Sequence, residues 1–213
     1  MNPPPADPSL PAKKKGPVLV VIVIVLIVAG VGAVVGKSAV ERWLNRDGAN
    51  TRFKAAWTKQ TFTDIAFEAP LVLGPGPDIT EKLPEQVREM LDYMELRDSG
   101  DSYKGFRISV CRFAYKTGVQ VSLDGAVEGA MTQAAAAIGV AKPKFDVVSG
   151  KVDGLDSRRA VYRGNVAGRP IQIDGLFVQR GQQFWQVQVI AVASGAALDA
   201  KRILDSAHIL ATP

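Results

Sequence analysis

The sequence predicts an α+β protein: an antiparallel β-sheet domain with helices packed on its faces, preceded by one transmembrane helix. Three observations carry that prediction. Residues 16–36, GPVLVVIVIVLIVAGVGAVVG, hold no charged and no polar side chain. Beyond residue 60, several segments alternate apolar and polar residues with the period of a strand. Between Ser122 and Gly139 the apolar residues instead recur at three and four, the period of a helix.

A helix rises about 1.5 Å per residue and a bilayer core is about 30 Å thick, so about 20 apolar residues suffice to cross it. Gly16–Gly36 meets that length, and in hydrocarbon a helix satisfies every backbone polar group internally. A cleaved signal peptide carries a shorter apolar core of about 7–15 residues and a small-residue cleavage site. Here fifteen residues precede the run, and Gly36-Lys37-Ser38-Ala39 imitates such a site poorly, so an uncleaved signal anchor is expected. Lys13, Lys14 and Lys15 place the N-terminus in the cytoplasm, although Lys37, Arg42, Arg46, Arg52 and Lys54 follow on the other flank. Ala29, Gly32 and Gly36 form a small-residue stripe on which two spans could pack, making the chain a homo-oligomer. Glycine is common in membrane helices, and that is the simpler account of the stripe.

Four regions follow. Residues 1–15, with Pro3, Pro4, Pro5, Pro8 and Pro11, read as a disordered cytoplasmic tail. Residues 16–36 are the span, 37–60 a helical stalk or linker, and 61–213 an α+β domain outside the cytoplasm. In the stalk Val40, Trp43 and Leu44 follow helical spacing, and Trp57 either packs on the domain or continues the stalk.

The isoelectric point near 9.4 resembles that of a nucleic-acid binder. The chain has 26 basic and 21 acidic residues, but residues 1–37 contribute Lys13, Lys14, Lys15 and Lys37 against Asp7 alone. What remains is 22 basic against 20 acidic, which is no footprint for a polyanion. Cys111 is the sole cysteine, so no internal disulfide forms and an ordinary core must hold the domain. No Asn-x-Ser/Thr acceptor occurs, which is compatible with a bacterial envelope protein.

Taken in order, Phe62–Ala69 alternates and ends at Pro70, a first strand. Pro70–Pro77 is a Gly/Pro loop, Pro84–Met90 a short helix with Pro in its first turn, and Leu91–Arg97 a strand. Asp98-Ser99-Gly100-Asp101 reads as a turn. Lys104–Lys116 is a strand with Phe106, Ile108, Val110 and Ala114 on one face and Ser109, Cys111, Phe113 and Tyr115 on the other. Aromatics on both faces require both to be covered. Leu123, Ala126, Val127, Ala130, Met131, Ala134 and Ile138 form the apolar side of a helix that Ser122 caps and Gly139 ends. A meander follows: Phe145–Val152, Arg158–Arg163, Ile171–Gln179 and Phe184–Ala193. In the third strand the apolar phase shifts at Asp174-Gly175, where a bulge or a tight hairpin is expected. In the fourth, Trp185, Val187, Val189 and Ala191 face inward, and Gln186 and Gln188 outward. A helix over Ala196–Ala207, with Leu198, Ile203 and Leu204 towards the core, closes the domain.

This order carries a resemblance. The strand ending at Pro70, the long strand leading into an alanine-rich helix, Val152-Asp153-Gly154 with Arg158–Gly164, GLFVQRGQQFWQV at Gly175–Val187, and AKRILDSAHI at Ala200–Ile209 together resemble the Mog1/PsbP-like α/β/α sandwiches. Those include small membrane-anchored bacterial envelope domains. The resemblance covers about residues 60–210 and carries over no functional residue. It implies an antiparallel sheet with helices on both faces, and a role in binding or assembly rather than catalysis.

No HExxH, EF-hand loop, P-loop or Gly-x-Ser-x-Gly occurs, and no cofactor, metal or nucleic-acid partner is expected. Cys111 and His208, the only histidine, could pair as nucleophile and base, but without a supporting motif both read as structural. Arg158, Arg159, Arg163, Arg169 and Arg180 lie close in the meander. They are candidates for a patch that meets anionic headgroups or an acidic partner, weighed against an ordinary solvated strand face. The function expected is that of a single-pass domain of the bacterial inner membrane, facing the periplasm or exterior, that binds a protein partner or assists envelope assembly. The alternative is a small-ligand or lipid-headgroup sensor, or a weak enzyme, with a pocket between sheet and helices.

Overall fold

A computed structural model describes residues 56–78, 80–83, 85–99, 105–192 and 196–210. The tail, the apolar run with Ala29, Gly32 and Gly36, and the stalk up to residue 55 lie outside these residues. Among the described residues no helix is long and apolar enough to cross a membrane.

The domain is α+β, built on a seven-stranded antiparallel sheet. In chain order its elements are β1 (Thr58–Phe62), β2 (Ile65–Ala69), β3 (Gly74–Pro75), a 3-10 turn (Thr80–Lys82), α1 (Glu85–Met90), β4 (Leu91–Asp98), β5 (Phe106–Tyr115), α2 (Leu123–Ala137), β6 (Phe145–Val152), β7 (Leu155–Val166), β8 (Arg169–Arg180), β9 (Gln183–Val192), α3 (Ala196–Asp205) and β10 (His208–Ile209). The large sheet runs β3-β4-β5-β9-β8-β7-β6, and β1-β2-β10 forms a separate small sheet.

Two cores follow from the strand period, because successive side chains point to opposite faces. On one face of the large sheet Cys111, Phe113, Tyr115, Ile171, Ile173, Phe177 and Phe184 pack under α2 and against Val87 of α1. On the other, Phe106, Ile108, Val110, Leu176, Val178, Trp185, Val187 and Val189 pack against α3 and the small sheet. Phe113 and Phe184 stack in parallel at 5.2 Å, with Tyr115 edge-on to both. The two faces read from Lys104–Lys116 are therefore both covered. Helix α2 begins as its sequence predicts: the Ser122 hydroxyl accepts from the Gly125 N–H at 3.3 Å. Beyond its end Gly139 takes φ +89°, a conformation open to glycine.

Three expectations are corrected here, and the choice left open for Trp57 is decided. Thr58–Gln60, placed in the stalk by the sequence, are strand, because Thr58–Phe62 pair residue by residue with Ile65–Ala69. The single first strand is instead a hairpin turning at Thr63-Asp64. Trp57 packs on the domain, under the Arg202 guanidinium at 4.0 Å. Gln186 and Gln188 are buried rather than outward, since the face they share with Phe184 also lies within the fold.

The phase shift at Asp174-Gly175 is neither bulge nor hairpin, for β8 pairs in unbroken register with β7 and β9. Ile171 and Ile173 face α2, whereas Leu176 and Val178 face α3, so the shift marks a change in which face is covered. Gly175 is there for space: a Cβ would lie 2.6 Å from the Phe177 ring and 3.3 Å from Met131 Sδ.

Asp174 is the exception that this change of cover leaves behind. It is buried on the α3 side, accepting from Gln172 Nε2 at 2.7 Å. Burial raises its carboxyl above the usual range, against the opposing pull of Gln172, Arg163 and Arg159. At neutral pH the ionised group therefore destabilises the fold, and this cost is relieved as pH falls through the raised value. Asp174→Asn is expected to raise the melting temperature at pH 7. The gain should shrink on acidification and vanish below the ordinary 3.8, where both states are protonated. A gain that is constant with pH would contradict the assignment.

Candidate functional site

The most densely built polar site lies where the β1–β2 turn meets β4, β5 and β9. It starts from a single misfit in sequence. Arg112 shares its face of β5 with Ile108, Val110 and Ala114, and a charge on so apolar a face must be paired. The pairing of β5 with β9 sets Arg112 opposite Trp185, and the β1–β2 turn lowers Asp64 onto both. Trp185 Nε1 donates to Asp64 Oδ1 at 2.7 Å, and Arg112 Nε lies 2.9 Å from the same oxygen. The Asp64 side chain is 7% exposed and that of Arg112 16%, which makes this an ion pair of the interior.

Two further groups complete the site. Register shifts between Leu91 and Tyr93 in the β4–β5 ladder. That bulge turns Tyr93 to the face opposite Leu91, so its ring lies 4.3 Å from the Arg112 guanidinium. Burial raises the Tyr93 phenol above its usual range, with Arg112 opposing, so it stays protonated. Glu95 Oε2 lies 3.5 Å from Arg112 Nη1 and accepts from Thr63 Oγ1 at 3.4 Å. The backbone bears strain here, since Thr63 holds φ +53°, which β-branched residues rarely adopt. It is held by the Leu210 N–H, which donates to the Asp64 carbonyl at 2.7 Å. Asp64 Oδ2 and the Tyr93 hydroxyl are buried without a hydrogen-bond partner among the described residues.

Above this cluster the surface opens into two adjoining clefts of about 240 and 260 Å³. Phe62 and Arg97 line both, with the Arg97 guanidinium 5.2 Å from the Phe62 ring. One cleft continues over Pro75, Pro77, Asp78 and Glu95, the other over Thr61, Thr63 and Leu73. Next to Leu73, Val72 stands 79% exposed. The Thr80 N–H donates to Asp78 Oδ1 at 2.8 Å and holds that carboxyl below its usual range. The face thus carries fixed charges of both signs around apolar edges.

The five arginines singled out from the sequence divide between the two faces of the sheet, Arg159 and Arg163 on one and Arg158 on the other. Adjacent residues of a strand project to opposite faces, and so Arg158 reaches Asp124 at the start of α2, 2.6 Å away. Arg159 reaches the other way, to the Asp205 carboxylate and the Leu204 carbonyl at the end of α3. A cation there meets the negative end of the helix dipole. Arg163 shares the Arg159 face, exposed, 4.0 Å from Asp146. Arg169 begins β8 and Arg180 ends it, the latter 5.2 Å from the Trp185 ring. Arg158 and Arg159 are clasps between sheet and helix, each holding one helix to β7.

Cys111 and His208 are separated as well. Cys111 is buried under α2, whereas His208 belongs to the small sheet on the opposite side, its Nδ1 3.3 Å from Asp153 Oδ1. Burial, with Glu95 adding to it, pushes the Cys111 thiol up to about 12. The native protein is expected to leave Cys111 unmodified by thiol reagents at pH 8 and to react fully in denaturant. Modification of the native protein at the rate of a free thiol would refute that burial.

No family model matches the chain, and no curated protein does. Solved structures resemble it weakly. The Saccharomyces cerevisiae Ran-binding protein Mog1p is 10% identical at a TM-score of 0.40, over 74% of this chain and 97% of Mog1p. The cyanobacterial PsbP (CyanoP) of Synechocystis sp. PCC 6803 is 11% identical at 0.41, over 78% and 98%. LpqN of Mycobacterium tuberculosis, involved in cell envelope biogenesis, is 11% identical at 0.35, over 73% and 91%. Mog1 and PsbP, the two names in the resemblance drawn from the sequence, are among these weakly similar structures.

Proposed function

We propose that the chain is a single-pass membrane protein whose domain lies outside the cytoplasm and binds a protein partner of the bacterial envelope across the Phe62–Arg97 face. The observation that carries the partner-binding reading is the pair of clefts themselves. Small-molecule sites enclose about 300–1,000 Å³ and bury most of their ligand. Each cleft is smaller than that, and Val72, next in the chain to Leu73 of the second cleft, is an exposed apolar side chain. Exposed apolar side chains beside fixed charges of both signs suit a protein surface. The layers between sheet and helices are filled by the two cores, so no observation favours a sensor or enzyme pocket there. The anchor rests on the length of the uncharged run 16–36, and the orientation on Lys13, Lys14 and Lys15.

A photo-crosslinking side chain placed at Val72 in the full chain, in native membranes, tests the surface. A discrete adduct is expected there and none from Lys201, on the outside of α3; Arg97→Glu should remove it. The same adducts from both positions, or none from Val72, would sink the reading. A reporter fused after Pro213 that is active in the cytosol alone would reverse the orientation.

A further inference from the structure

We infer that β6 is an interface for a second copy of this chain, the two large sheets joining edge to edge through antiparallel β6 strands. The large sheet ends differently on its two sides. At one edge β3 is two residues long and contains Pro75, which blunts it. At the other, β6 runs for eight residues, FDVVSGKV, without proline and without a bulge in its ladder to β7. Nothing among the described residues pairs with its outer side. Its two charges are engaged locally, Lys151 with Asp156 at 3.2 Å and Asp146 with Arg163 at 4.0 Å.

Large apolar side chains exposed among the described residues are Val72, Val147 at 44% and Val148 at 66%. Val147 and Val148 are neighbours in a strand and so lie on opposite faces of the sheet. A partner docking on either face would cover one of them. A strand added at the edge covers both.

The register follows from the hairpin. Asp153 and Gly154 both have positive φ, as a two-residue type I′ turn requires. In such a hairpin the residues flanking the turn, Val152 and Leu155, exchange hydrogen bonds. Val148, Gly150 and Val152 therefore point their backbone groups at β7, and Phe145, Val147, Ser149 and Lys151 point theirs outward. A two-fold axis perpendicular to the sheet through Val148 sets Phe145 opposite Lys151 of the second copy and Val147 opposite its Ser149. All four outward residues then pair within the strand, with about eight backbone hydrogen bonds at two per pair. On the other face Val148 meets its own copy at the close, non-hydrogen-bonded spacing, and Asp146 falls opposite Gly150. No like charges are opposed. The strand is complementary to itself, and that selects a second copy over an unrelated strand.

The test is cysteine crosslinking of the full chain in detergent. Val148→Cys is expected to give a disulfide-linked dimer under mild oxidation, at least tenfold faster than Val72→Cys; Cys111 is buried and silent. Light scattering should show the dimer of the unmodified chain converted to monomer by Val148→Lys, which opposes two ammonium groups, with the melting temperature retained. Equal crosslinking from both cysteines, a monomer at every concentration, or a dimer that Val148→Lys leaves intact (one held by the spans) would each overturn the proposal. So would a Val148→Cys product joined to a different protein, which would make β6 the site of a partner's strand.

Discussion

Asp64→Ala is expected to destabilise the full chain by about 3–5 kcal/mol, the cost of removing one member of a buried ion pair. The magnitude comes from what is left behind. Trp185 Nε1 and Arg112 Nε both converge on Asp64 Oδ1, and the indole lies within the core at 1% exposure. Without the carboxylate, the indole N–H loses its acceptor and the guanidinium keeps, among the described residues, Glu95 at 3.5 Å and the Tyr93 ring. Asp64→Asn should cost less, because its amide oxygen can still accept from Trp185. Trp185→Phe removes the donor but keeps most of the ring, so Asp64→Ala combined with Trp185→Phe should cost less than the sum of the two. Denaturation followed by fluorescence of the full chain in detergent measures all four. A loss below about 1 kcal/mol for Asp64→Ala would place the pair among surface salt bridges and remove the case for a built site beneath the clefts.

The same cluster shows where sequence reading stops. Periodicity located β5 and α2 well, because each has one face dictated by neighbours of a single kind. Strand β5 alternates between two cores and α2 repeats towards one. Local pattern failed where a covering element arrives from far along the chain. Gln186 and Gln188 look solvent-facing by alternation, yet the far face of β9 is also inside. Asp174-Gly175 looks like a break, yet its neighbours are covered by α2 on one side and by α3 on the other. The arginines divide for a simpler reason: neighbours in one strand project to opposite faces, whereas Arg159 and Arg163, four apart, share one. Arg158 and Arg159 could have been assigned to opposite faces from the strand period alone. Asp64 and Trp185 are 121 positions apart, and no short-range pattern joins them. The signal present was Arg112, a charge on an apolar stripe, which announces a partner without naming it.

Met131→Ala is expected to cost about 2–5 kcal/mol, since the side chain is fully buried at the centre of α2. Met131→Leu, which conserves volume, should cost less than about 1.5 kcal/mol. The sharper expectation concerns Gly175. Gly175→Ala alone forces a methyl into the Phe177 ring and against Met131 Sδ, and overpacking of this kind costs about 1–3 kcal/mol. The Phe177 ring and Met131 Sδ both crowd the added methyl, so shortening Met131 makes room on that side. In Met131→Ala the ring gains room to move, and the new methyl at position 175 fills part of the cavity. The double variant should therefore be less destabilised than the sum of its parts, by about 0.5–3 kcal/mol, the range of coupling between residues in contact. Strict additivity would show that the two side chains do not share one space. The glycine in β8 would then need a backbone explanation, which its unbroken register with β7 and β9 does not offer.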